Sequence, residues 1–359
     1  MTTGKWLPIW SWVLGAGMVL SLPSCDGGPA RPGLPPRSFR MGFSAIPPRP
    51  DLGLLLAGVD SFRRRADAAI LHQSVPWAAL LAGIPADSAV RSNELGLANL
   101  FRGYGLRVVI TVDVTDGLAR DREAPELVAA GRSITESAIQ ELYSDYVLSV
   151  ATLVQPDYLG LAAETNLIRA AAPDSVYRAV VTMANAAAAQ LANSGVTSQL
   201  YVSVQVEVAW GGLGGGTYQG VATDVADFPF IDVLGLSSYP YLGGVAQPDD
   251  LPNDYYARLA TETSLPVLVV EGGWPSTSVG GGSSSPAAQA RYIARQAALL
   301  DAAQAIAVFQ LTFTDLHPSI FQPGSILPLF ATLGLVDTAL APKPALGAWD
   351  GVFARPWQP

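Results

Sequence analysis

The sequence predicts a parallel (β/α)8 barrel, and three observations lead there. From residue 39 onward, short apolar runs alternate with longer stretches of helical periodicity, the pattern of a parallel sheet with crossover helices. The apolar runs number eight, the strand count of that barrel. No Gly-rich phosphate fingerprint follows the first run, which weakens the doubly wound open sheet that the same alternation would allow.

The strand candidates are 39–45, 68–73, 106–113, 158–164, 200–207, 231–239, 267–271 and 305–313. Each is short, apolar and rich in branched or aromatic residues. The helix candidates 52–65, 93–105, 134–154, 176–195, 254–263 and 286–304 fill the gaps between them. Gly195 suits a C-terminal cap, and Pro286, after three serines, suits a first helical turn. "GGLGGG", Gly211 to Gly216, follows the fifth strand and opens no helix. It reads as a loop at the barrel mouth rather than a phosphate cradle. The stretch "ALGAWDGVF", Ala345 to Phe353, still has apolar surface to bury, so the domain runs to the C-terminus.

Residues 1–25 read as an export signal: Lys5, an apolar run from Trp6 to Leu22, then small residues. "LPSC", Leu22 to Cys25, resembles a bacterial lipobox. That resemblance implies a lipid on Cys25 and a membrane-anchored lipoprotein facing the periplasm or cell exterior. Residues 26–38 are Gly- and Pro-rich and read as a flexible tether, leaving 39–359 as the folded domain. Cys25 is the only cysteine, so no intrachain disulfide forms. A formal charge of −9 and a pI near 4.7 argue against a nucleic-acid partner. With half the residues hydrophobic and 14% charged, the chain can bury a large core.

A barrel of this kind carries its active site at the C-terminal ends of its strands, and side chains alternate along each strand. On the fifth strand Leu200, Val202, Val204, Val206 and Val208 should meet helices, and Tyr201, Ser203, Gln205 and Glu207 should face the lumen. On the seventh, Val267, Val269 and Glu271 share one phase, and on the eighth either Gln310 or Phe313 faces inward. The resulting ring of candidates is His72, Asp113, Glu164, Glu207, Tyr239 and Glu271. A carboxylate ending an apolar strand is costly to desolvate unless it is paired or used, and here strands four and seven each end in one. Two facing carboxyls are what glycoside hydrolysis needs: one protonates the leaving oxygen, the other attacks the anomeric carbon or activates water. The two histidines, His72 and His317, have no paired spacing for a metal, so neither metal nor cofactor is expected.

"YLGLAAETN" (158–166) and "PVLVVEGGWPS" (266–276) resemble the strand-four and strand-seven segments of the clan A retaining glycoside hydrolases. "FIDVLGLSSYPYL" (230–242) resembles strand six of the arabinogalactan endo-β-1,4-galactanases in that clan, and "EGGWPS" is similar to a segment of β-1,3-glucanases. The resemblance implies an exported hydrolase of an oligo- or polysaccharide, a β-linked glycan of galactan or glucan type. Glu164 would be its acid/base and Glu271 its nucleophile, with Tyr239 hydrogen-bonded to the nucleophile. Trp274 would be a sugar-stacking platform, and His72 and Trp77 would line a subsite. Gly272 and Gly273 would leave room for sugar. One departure stands out: the clan has Asn, which binds the sugar 2-hydroxyl, where this chain has Ala163. Asn166 is the candidate substitute, and a non-catalytic glycan-binding barrel is the alternative reading.

Overall fold

The computed structural model describes residues 33–213 and 215–359. Eight parallel strands close into a barrel: β1 (Arg40–Ser44), β2 (Ala68–Ser74), β3 (Arg107–Asp113), β4 (Tyr158–Gly160), β5 (Gln199–Gln205), β6 (Val233–Ser238), β7 (Val267–Gly272) and β8 (Ala307–Gln310). Each pairs with its sequence neighbour, and β8 returns to β1 with Arg40 opposite Ala307. The export signal, Cys25 and the tether up to residue 32 lie outside the described residues. The last two residues assigned to the tether belong to the fold. Arg37 is ion-paired to Asp67 at 2.8 Å and its N–H bonds to Pro356 O, while Ser38 N–H reaches Asp301.

Outward-facing residues such as Val108, Ile110, Val202, Val204, Leu234 and Val308 join one continuous core with the surrounding helices. Those helices include Leu52–Phe62, Leu95–Gly103, Ser137–Ser149, Asp174–Ala192, Ala257–Thr263, Pro286–Ala302 and Pro344–Phe353. Local chemistry starts two of them: the Asp51 carboxylate accepts from Leu54 N–H, and the Ser285 hydroxyl accepts from Ala288 N–H ahead of Pro286. The last helix closes the ring by setting Trp349 against Phe43, centroids 4.6 Å apart, with its indole N–H on Arg65 O. Among the described residues, no helix is long and apolar enough to cross a membrane.

A smaller apolar cluster fills the lumen, with Ile70, Val109, Tyr201, Leu268, Val270 and Phe309 among its members. The Tyr201 hydroxyl is 2.6 Å from Thr111 Oγ1 and donates to Ile110 O. Its ring rests on two glycines of the neighbouring strands. A Cβ on Gly160 would lie 2.5 Å from the ring, and one on Gly235 would lie 2.8 Å from it. Gly160→Ala therefore overpacks the lumen and should cost about 1–3 kcal/mol, read as a lower urea midpoint at unchanged m value.

Three strands depart from simple alternation. Leu236 on β6 opposes Val269, but the next residue, Ser237, opposes Glu271, so Val270 is an extra residue in β7. Such a bulge shifts the side-chain phase. Val267 and Val269 face the helices, Leu268 and Val270 face the lumen, and Glu271 still reaches the mouth. The expected shared phase of Val267, Val269 and Glu271 is thus broken by one inserted residue. β5 stops at Gln205, and Val206–Ala209 forms a helical turn, which takes Glu207 out of the strand alternation. On β8, Phe309 faces the lumen, Gln310 turns outward to Gln296, and Phe313 packs against Phe43 and Phe62 in the outer core. Neither expected β8 residue reaches the mouth; Leu311 and Thr312 do.

Candidate active site

A cleft of about 510 Å3 opens over the C-terminal ends of the strands. Every strand contributes to its wall or floor: Ile46 after β1, His72 from β2, Asp113 from β3, Glu164 after β4, Gln205 from β5, Tyr239 after β6, Glu271 from β7 and Thr312 after β8. Two connections add to it. One is a hairpin after β3, Thr115–Asp116 paired with Ala119–Glu123, which sends Leu118 and Arg120 into the cleft. The other is the long segment 311–343 after β8, which supplies Leu316, Ile320, Ile326, Leu327 and Phe330.

Glu164 sits in the left-handed backbone region at φ 49°, unusual for a residue with a Cβ. Its surroundings hold it there. Its N–H donates to Ser203 Oγ at 2.9 Å, and its C=O accepts from Leu167 and Ile168 at the start of helix Thr165–Ala171. Both carboxylate oxygens are engaged: Arg120 Nε donates to Oε2 at 2.9 Å and Ser237 Oγ donates to Oε1 at 2.6 Å. Arg120 Nη1 straddles both oxygens of Asp113, at 2.7 and 2.6 Å. Burial works against the guanidinium charge, but Asp113 and Glu164 outweigh it and hold Arg120 above its ordinary pKa.

Glu271 lines the same cleft as Glu164. Burial and the Glu164 charge raise its pKa to about 8, while Arg120 and the Ser237 hydroxyl pull it down. The raised pKa disposes the Glu271 carboxyl to hold a proton near neutral pH. His72 Nε2 is 3.6 Å from Glu271 Oε2. Burial lowers the His72 pKa to about 4, so this contact is neutral imidazole against carboxyl rather than an ion pair. The Nε2 atom has no hydrogen-bond partner, and Nδ1 faces Ser44 Oγ at 3.4 Å.

Five of the expected site residues sit elsewhere or do something else. Trp274 is buried between Tyr241 and Tyr292, its indole N–H on Ser284 Oγ, and it offers no face to the cleft. Trp77 opens the short helix Trp77–Leu81 and is buried in the outer core. Asn166 spends its amide on the β5 main chain, donating to Gln205 O at 2.9 Å and accepting from Gln205 N at 2.7 Å. It does not replace the missing asparagine. Glu207 is buried away from the cleft, accepting from Tyr255 OH at 2.6 Å. Tyr239 does line the cleft, where burial and the Glu271 charge push its hydroxyl well above the ordinary range. It makes no hydrogen bond to Glu271; its ring packs edge-on to Phe330 at 5.1 Å. The Gly272 gap is filled by the chain itself, since a Cβ there would lie 2.4 Å from Ser238 O. Among the described residues, no group of three His, Cys, Asp or Glu side chains is placed to hold a metal ion.

The sequence reading missed Arg120 entirely. An Asp116-Gly117 pair between two polar runs is a hairpin signal. Reading it would have put residues 118 and 120 on one face. The alternation along the fifth strand gives Gln205 an inward phase without a role. Gln205 lines the cleft, and its side-chain oxygen accepts from Val208 N–H.

No protein-family model and no curated protein matches the chain. Among solved structures it is similar to an exo-β-1,4-mannosidase from Opitutaceae bacterium strain TAV5, with TM-score 0.61 and 18% identity over 90% of this chain and 59% of that one. It is also similar to the GH53 catalytic domain of Ignisphaera aggregans, with TM-score 0.59 and 18% identity over 89% and 98% of the two chains. Xylanase 10B from Thermotoga maritima gives TM-score 0.59 and 15% identity over 88% and 95%. The chain spans less than two thirds of the mannosidase and of a family 39 glycoside hydrolase from Bacteroides cellulosilyticus, 59% and 64%. At these identities the likeness establishes the architecture: a (β/α)8 barrel of the kind found in glycoside hydrolases.

Proposed function

We propose that the chain hydrolyses β-glycosides with Glu164 and Glu271 as its carboxyl pair. One observation carries this reading: glutamates following β4 and ending β7 both line the cleft at the barrel mouth, close enough for the charge of one to raise the pKa of the other. The pair shares one proton, as acid-assisted displacement requires. With that proton on Glu164, Glu271 is ionised to attack the anomeric carbon and Glu164 is able to protonate the leaving oxygen. Water then hydrolyses the glycosyl-enzyme with Glu164 as base, and configuration is retained. Gln205 is positioned to offer its amide to the sugar that Ala163 cannot bind. The sugar half of the substrate is taken from the sequence resemblance, galactose- or glucose-like. Export with a lipid on Cys25 belongs to the same proposal.

The test uses aryl β-glycosides, galactan and β-1,3-glucan. Glu271→Ala should abolish turnover, and added azide should restore it as a glycosyl azide of inverted configuration. Glu164→Ala should lose about 10^2- to 10^4-fold on poor leaving groups and yield a retained azide. Wild-type activity should fall as pH rises through about 8, where the shared proton leaves. Glycan binding without turnover, indifferent to both substitutions, would instead mark a binding barrel.

A further inference from the structure

We infer that the cleft accepts an apolar aglycone, so that the substrate is the glycoside of a long-chain or similarly hydrophobic alcohol. This rests on the glycosidase reading for the sugar half and deepens it for the other half. Charged and hydrogen-bonding groups gather at the floor, around Asp113, Arg120, Glu164 and Glu271. Above them, apart from the exposed Arg49, the walls are mostly aliphatic: Leu118 at the hairpin tip, Leu213 and Leu242 in the loops after β5 and β6, and Ile320, Ile326 and Leu327 after β8. No tryptophan lines the cleft among the described residues.

Such walls suit a second sugar poorly. Each sugar hydroxyl buried without a partner costs about 1–3 kcal/mol. They suit methylene groups well, and the cleft volume falls in the range of ~300–1,000 Å3 that holds ligands of that size. Leu118 and Ile326 are also 40% and 41% exposed at the cleft. Large apolar side chains left open together at a functional cleft mark what binds there.

The experiment uses the full chain with alkyl β-D-glucosides, galactosides and mannosides from methyl to decyl, each below its micellar concentration. Hydrolysis is followed by released sugar and binding by calorimetry. kcat/KM should rise about two- to fourfold per added methylene, mainly through KM. Leu118→Asp combined with Ile326→Asp should flatten that slope. Hydrolysis that ignores chain length, or a slope that survives the double substitution, overturns the inference and leaves the glycosidase reading standing. Affinity that climbs with chain length without hydrolysis of any member keeps the apolar site and removes the glycosidase reading. Neither hydrolysis nor binding removes both.

Discussion

Replacing Arg120 by methionine should cost about 3–5 kcal/mol of stability. The guanidinium is buried with Asp113 and Glu164, which it bridges through different nitrogens. Removing one partner of such a network leaves the others as uncompensated, largely buried charges. Lysine should not rescue it, because a single ammonium lacks the fork that reaches both carboxylates. Converting Asp113 to Asn in the Arg120→Met background should recover part of the loss by removing one stranded charge. The effect on chemistry has a definite sign. Arg120 lowers the Glu271 pKa, so without it the alkaline limit of activity moves above its wild-type position near pH 8. Urea unfolding and a pH–rate profile on an aryl β-glycoside read the two effects separately.

Stability should fall by roughly 3 kcal/mol or more between pH 5 and pH 8. Three carboxyls carry this, Glu94 and Glu207 buried and Glu271 half-buried. Burial raises Glu94 to about 8, Glu207 to about 7 and Glu271 to about 8, from a common ordinary value of 4.5. Each therefore holds its proton more tightly folded than unfolded. Its contribution is complete below the unfolded pKa and is lost as pH rises through the folded one. His72 runs the other way: with its pKa lowered to about 4, its contribution is lost as pH falls from 6.5 toward 4. The maximum should therefore lie in the mildly acidic range. Glu94 provides a control remote from the cleft. Tyr146 OH donates to its Oε1 at 2.7 Å, and its Oε2 has no partner. Glu94→Gln, shaped like the protonated form, should flatten the slope without moving the pH profile of activity. Denaturation midpoints from pH 5 to 8.5 measure this.

The barrel was legible because its strands are short apolar runs separated by amphipathic helices, a pattern set by local burial. Glu164 and Glu271 were legible because a carboxylate at the end of such a run has few cheap explanations. What escaped depends on contacts distant in sequence. Nothing around Val270 announces a bulge, yet that one residue decides which valines face the lumen. A tryptophan two residues past a strand end can stack on sugar or fill a core. Trp274 is buried because the 278–285 loop folds back and puts Ser284 on its indole. Asn166 looked available until β5 came alongside and claimed both ends of its amide. Arg120 comes from a hairpin inserted between a strand and its helix, where barrel periodicity says nothing.

The layer of the lumen beneath the cleft floor is filled by a side chain rather than backbone, and its height is therefore open to change by sequence. Tyr201 occupies space that Gly160 and Gly235 leave vacant on either side. A smaller residue at 201 would deepen the space beneath the carboxyls and free Gly160 to acquire a side chain. Gly235 would stay fixed, because a Cβ there also lies 2.9 Å from Val202 O. A larger residue at 160 would demand a smaller one at 201. Positions 160 and 201 form a correlated pair whose permitted combinations conserve volume. Among descendants of this barrel, active-site depth should drift by joint replacement of the two, with the rim left untouched.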